Sequence, residues 1–140
     1  MHSVNAILSP VPSTGGVSFL RDAKRDAGLS EVMLIAALSR AGYVVSLPLG
    51  ENHGYDLIVD KNGVLSRVRV KTGRLRKGAV AFSCYSSHGE VEYFGVYCKQ
   101  LGACYLVPIA DTAAMGCALR VSPAANAQRR RIRWASAYLL

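Results

Sequence analysis

The sequence predicts an α+β fold, with one long helix followed by a run of strands in a mixed-sheet layer. Three observations carry this. Apolar residues recur at helical spacing in one long early segment; several short β-rich runs follow, punctuated by Gly, Pro and Asn; and the tail is mixed in pattern. A regular βαβ array would instead place a helix-sized segment between successive strands.

Val17 to Arg40 is the helical segment. Leu20, Leu29, Val32, Leu34, Ile35 and Leu38 fall at helix-compatible spacings, with Arg21, Asp22, Lys24, Arg25 and Asp26 on an exposed side. Gly28 is placed to interrupt it. Ser30 would then cap a second segment, Glu31 to Ser39, with Glu31 in a first turn where the helix dipole favours a carboxylate. Ala41-Gly42 closes the helix. Strands are expected at Tyr43 to Leu47, closed by Pro48 and Gly50, and at Tyr55 to Val59, closed by Asp60-Lys61-Asn62-Gly63. Asn-Gly is a strong hairpin signal and leads into a third strand, Val64 to Thr72. Its apolar residues are Val64, Val68 and Val70, while Arg67, Arg69 and Lys71 present three cations in a row on the opposite face. A basic loop, Arg74-Leu75-Arg76-Lys77-Gly78, comes next. Further strands are expected at Ala79 to Cys84, Phe94 to Cys98, Tyr105 to Ile109 and, briefly, Leu119 to Val121; Ala125 to Tyr138 is expected to be helical in part. The Ser-, Pro- and Gly-rich stretch from Met1 to Gly16 reads as a flexible leader to a single domain over 17–140.

Composition narrows the function. The chain has 140 residues and 51% hydrophobic content, enough for a packed core without staples. No stretch approaches a membrane span, and the first residues lack the basic and apolar regions of a secretion signal. Cys84, Cys98, Cys104 and Cys117 are irregularly spaced in apolar settings, which fits reduced cysteines used as small hydrophobes and a cytoplasmic location, not a zinc site. The net charge of +8 points to a polyanionic partner. Eleven of the 17 Lys and Arg residues lie in two acid-free segments, Arg67 to Lys77 and Arg120 to Arg133. Neither segment is an amphipathic helix with an apolar membrane-facing side, so nucleic acid is the expected polyanion. Phosphate contacts are expected from Arg67, Arg74, Arg76 and Lys77, and from Arg129, Arg130, Arg131 and Arg133.

A carboxylate and a lysine on neighbouring hairpin strands are candidates for chemistry: Asp56 in Tyr55-Asp56-Leu57-Ile58-Val59, and Lys71 in Val68-Arg69-Val70-Lys71-Thr72. Such a pair can hold Mg²⁺ and position water beside a phosphodiester, with the lysine stabilising developing negative charge. With Ser30-Glu31, Ala41 to Val45 before Pro48, Val91 to Tyr97, Tyr105 to Pro108 and Ile132 to Ala135, these segments occur in an order that resembles the PD-(D/E)XK nuclease superfamily. The nearest resemblance is to group I intron-associated PD-(D/E)XK endonucleases of homing type, and Holliday junction resolvases are similar over the same positions. It runs from about Phe19 to Tyr138.

The resemblance implies a restriction-endonuclease-like α/β (α+β) core, a central mixed β-sheet flanked by helices. It implies a DNA endonuclease using Mg²⁺ or Mn²⁺, cutting duplex or branched DNA as a homodimer or higher homo-oligomer. Asp56 would be the metal-binding aspartate, Lys71 the motif lysine and Glu31 the assisting helical glutamate, with the Val70 carbonyl as a further ligand. One position departs from the pattern: where the motif carries Asp, Glu or Gln, this chain has Arg69, which cannot ligate a cation. Two arrangements follow. Arg69 addresses the scissile phosphate while Glu31 or Glu51 completes the site, or it pairs with Asp56 in place of the metal and leaves an inactive nuclease fold that binds nucleic acid as an accessory or regulator.

Overall fold

The computed structural model describes residues 15–50, 53–84, 90–113, 115–123 and 132–140. Its one α-helix among these, α1 (Gly15–Arg40), precedes β1 (Val44–Ser46), β2 (Leu57–Lys61), β3 (Val64–Arg76), β4 (Ala79–Ser83), β5 (Tyr93–Cys98), β6 (Ala103–Pro108) and β7 (Gly116–Arg120). The seven strands form one branched sheet. β1, β2, β3, β5 and β6 lie side by side, with β3 and β5 parallel and the other neighbours antiparallel. β4 and β7 pair in turn onto the last residues of β3. The expected mixed-sheet core is therefore present.

The helix is not interrupted at Gly28. It runs through Ser30, whose hydroxyl donates 2.8 Å to the Asp26 carbonyl one turn back and meets Thr72 Oγ1 at 2.7 Å. Ser30 is thus no cap but a fully buried mid-helix residue, and Glu31 sits far from the first turn. Ser30, Leu34 and Leu38 recur every four residues and are 0% exposed. The two leucines pack on Leu57, Val59, Val68, Tyr97, Cys104 and Leu106, with Leu34 closing onto the bare backbone of Gly95.

The opposite face of the sheet is covered by β4 and β7, which fold Val80, Phe82, Cys117 and Leu119 over Phe94, Val96, Tyr105 and Val107. Both faces of β5 and β6 are covered, which explains why these strands read as nearly unbroken apolar runs. All four cysteines are buried and unpaired, and burial pushes the Cys104 thiol up to about 11. No helix among the described residues is long and apolar enough to cross a membrane.

Three expectations need correction. Asp56 lies just before β2, which starts at Leu57. Val64 is 66% exposed, because β3 overhangs the core at that end. Arg74, Leu75 and Arg76 are the end of β3, not a loop. They pair with Ala81, Val80 and Ala79, and Leu75 gains the second core to pack against. Only Lys77 and Gly78 turn, at φ 48° and 75°, as Asn62 and Gly63 do at 54° and 81° in the expected Asn-Gly hairpin. Of the tail expected to be helical in part, Trp134 makes an isolated bridge to Arg120 and Ala135–Ala137 form a 3-10 turn; residues 124–131 lie outside the described residues, as does the leader up to residue 14.

β3 changes partners at Gly73, the last residue paired with β5 and the neighbour of the first paired with β4. A Cβ there would lie 2.6 Å from Val80 Cγ1 and 2.8 Å from Val96 Cγ1. Gly73→Ala is expected to cost about 1–3 kcal/mol by overpacking, read as a lower urea midpoint; an unchanged midpoint would show that the strand crossing tolerates a side chain.

Candidate active site

β2 stops pairing at Leu57, opposite Val68, while β3 continues. The Asp56 amide still donates to the Val68 carbonyl at 2.9 Å, but at Val70 the carboxylate takes over. Val70 N donates to Asp56 Oδ2 at 2.7 Å. The Asp56 side chain thereby substitutes for the missing strand and is held at a fixed place in the fork between β2 and β3. Alternation along the strand puts the Val70 carbonyl on that same edge.

A cleft of about 760 Å³ opens at this fork. Asp56, Arg69 and Glu31 all line it, together with His53, Gly54, Tyr55 and Glu90. The Ser30–Thr72 hydroxyl contact ties α1 to β3 one residue from Glu31 and so places that carboxylate over the cleft. Arg69 donates to the His53 carbonyl at 3.2 Å, and its Nε stands 3.7 Å from Asp56 Oδ2, with both side chains about one-third exposed. The Arg69–Asp56 contact is an ion pair without a hydrogen bond, worth less than about 1 kcal/mol at such exposure.

Lys71 does not line the cleft wall. Its Nζ sits over the Phe94 ring, 5.5 Å from the centroid. Burial, then the neighbouring Arg69 charge, holds the ammonium below the ordinary lysine range, against the pull of Cys84 and Asp56. The cations expected to form a row are therefore differently engaged. Arg67 is bonded to Glu92 through Nη2 at 2.8 Å and Nε at 3.2 Å, an arrangement that lowers the Glu92 carboxyl and raises the guanidinium.

Arg74, Arg76 and Lys77 are exposed at the far end of β3. Arg133 is half-buried, with its charge felt by the thiols of Cys84 and Cys117. Arg129, Arg130, Arg131 and Glu51 lie outside the described residues.

Sequence reasoning missed Glu90. Its carboxylate lies against the backbone of Gly54, where any side chain would collide with Glu90 Oε2. Nothing in the strand pattern announces it, since it precedes β5 in a loop; the available signal is its position next to the Val91 to Tyr97 segment.

Whether this donor set suits a divalent ion follows from its chemistry. One Asp56 oxygen is committed to Val70, and the other carboxylate oxygen, the Val70 carbonyl and Glu31 are hard oxygen donors. Mg²⁺ takes one or two carboxylates and keeps several waters, so a sparse site of this kind fits it. A closed cage is absent: among the described residues no three His, Cys, Asp or Glu side chains gather into a metal-binding group.

A family model described as PD-(D/E)XK endonuclease matches residues 21–140. The chain belongs to the PD-(D/E)XK endonuclease family. Among solved structures, a bacterial homing endonuclease, I-Ssp6803I, shares its fold with a TM-score of 0.65 and 21% identity, over 83% of this chain and 85% of that one. No curated protein sequence matches. Family membership makes this a nuclease-fold protein whose expected substrate is DNA, consistent with its charge.

Removing the Lys71 charge relieves its burial penalty. Lys71→Met is therefore expected to melt at or above the native temperature while losing about 10²–10³-fold in any DNA cleavage. A drop of several degrees would show that the lysine is structural. The sign also fixes a pH dependence. With its folded pKa lowered, Lys71 costs stability while charged, so native stability gains from this group as pH rises through its folded pKa towards about 10.4, and Lys71→Met removes that gain.

Proposed function

We propose that this PD-(D/E)XK protein is a Mg²⁺- or Mn²⁺-dependent endonuclease that hydrolyses phosphodiester bonds of duplex DNA in the manner of a homing enzyme. The observation that carries the reading is the Asp56 carboxylate, pinned by the Val70 amide at a cleft that Glu31 and Arg69 share. Likeness to a bacterial homing endonuclease supports the substrate class.

Asp56 and the Val70 carbonyl would hold the ion, with Glu31 reaching from the helix. When bound, the ion lowers the pKa of a coordinated water and polarises the phosphoryl oxygen. Arg69 stands where it can donate to the scissile phosphate, its planar fork suiting two oxygens at once. Lys71, packed on Phe94, supplies fixed positive charge as negative charge develops. Cutting both strands calls for two such sites, hence a symmetric homodimer or higher homo-oligomer. Branched junctions are the alternative substrate.

A second reading is favoured by the short distance from Arg69 Nε to Asp56 Oδ2. In that reading the guanidinium takes the cation's place, and the chain binds DNA without cutting it.

Labelled duplex, four-way junction and single-stranded DNA, each with Mg²⁺, Mn²⁺ or EDTA, separate these. The expected result is metal-dependent cleavage of duplex that falls to background in Asp56→Ala. Arg69→Glu, which restores the acidic motif position, distinguishes the two roles of the arginine. Weaker cleavage in Arg69→Glu places Arg69 on the phosphate. Cleavage that appears only in Arg69→Glu establishes an arginine-silenced site, and no cleavage by either form overturns the nuclease reading.

A further inference from the structure

The β3–β4 hairpin and β7 carry a surface that the cleft does not use. Side chains of paired residues share a face, so the register Arg76–Ala79–Arg120 and Arg74–Ala81–Ala118 sets three arginines and three alanines on one side of this small sheet. The other side holds Leu75, Val80, Phe82, Cys117 and Leu119, all packed into the core. Arg74 and Arg76 are exposed, and Arg120 is directed by its Nε bond to the Ser122 carbonyl at 3.0 Å, beside the Gly78 turn. None of the three paired segments contains an acid. Ala79 is buried, whereas Ala81 is half-buried and Ala118 exposed; the small side chains at these last two positions let another molecule approach the strands closely between the cations.

We infer that this face docks on duplex DNA, with the arginines on phosphates and the alanine-paved strands against a groove. The inference rests on the proposed duplex substrate and adds where, relative to the cut, the protein holds it. The major groove admits a two-stranded β-ribbon, and the β3–β4 hairpin is one. β3 is unbroken from Val70, where Asp56 is fixed, to Arg76. At about 3.3 Å per residue, Arg74 and Arg76 stand roughly 13–20 Å along the strand from the cleft. A duplex laid along β3, at about 3.4 Å per base pair, is then gripped about four to six base pairs from the scissile phosphate. β3 acts as the ruler between grip and cut.

The test uses the full chain and a random-sequence duplex in EDTA, with affinity measured across a salt series by fluorescence anisotropy. The double variant Arg74→Ala/Arg76→Ala is expected to flatten the salt slope by up to about 0.9 for each phosphate no longer neutralised. Ala118→Glu keeps every arginine and changes an exposed residue, yet is expected to weaken binding at least tenfold by obstructing approach, with the melting temperature unchanged. Native binding with unaltered slope and affinity in both variants overturns the surface and leaves the nuclease reading standing. Failure of the native chain to bind duplex overturns both. On any duplex the native chain cuts, phosphate ethylation four to six base pairs from the cut is expected to interfere with native binding; interference confined to the cut itself overturns the ruler.

Discussion

β3 outruns its neighbour. β2 begins only at Leu57, opposite Val68, yet β3 runs on to Arg76, and the amide of Val70 is left facing a place where no strand runs. An unsatisfied amide in a part-buried strand costs about 1–3 kcal/mol, and Asp56 meets that cost with its carboxylate. The fold and the site are joined at this bond. It ends the β2–β3 ladder without orphaning a donor, and it fixes a carboxylate at the fork where the helix, the β2 entry and β3 share a cleft. The length of β3 has the further consequence that one strand touches every part of the molecule that matters here: β2 at its start, β5 through its middle, and β4 at its end.

The rest of the site is arranged around that point by buried contacts of modest size. The Ser30–Thr72 hydroxyl pair locks α1 to β3 within the otherwise apolar interface of Leu34 and Leu38, and Glu31 takes its position from it. Lys71 is held on Phe94 at the expense of its charge, a local destabilisation of the kind that functional sites retain. Arg69 is the departure that shapes the chemistry. Tethered to the His53 carbonyl, it brings a permanent cation to within ion-pair distance of Asp56, which must lower the affinity of any metal bound there.

Much of this is legible in the residues themselves. The Asn-Gly hairpin, the alternation of β3 and the order of the motif segments are local signals, and they place Asp56 beside Arg69 and Lys71. What is not legible depends on tertiary contacts. Ser30 looks like a helix cap because its hydroxyl favours caps; inside the helix it bonds back to the Asp26 carbonyl and meets Thr72, a partner 42 residues away that the local sequence does not announce. Arg74 to Arg76 look like a loop because they are basic, until β4 offers a ladder and the second core accepts Leu75. Arg67 looks free until Glu92 arrives from the entry to β5. Glu90 sits in no periodic pattern, and its adjacency to the Val91 to Tyr97 segment does not by itself bring it to the cleft; the contact with Gly54 does.

Divalent-ion binding at Asp56 is the point on which the catalytic interpretation turns, and it can be read without any cleavage. Free Mn²⁺ counted by electron paramagnetic resonance during titration of the native chain should reveal a bound fraction that Asp56→Asn abolishes, with both proteins equally folded by circular dichroism. Equal binding by the two proteins, or no binding by either, would contradict a metal site built on the Asp56–Val70 bond.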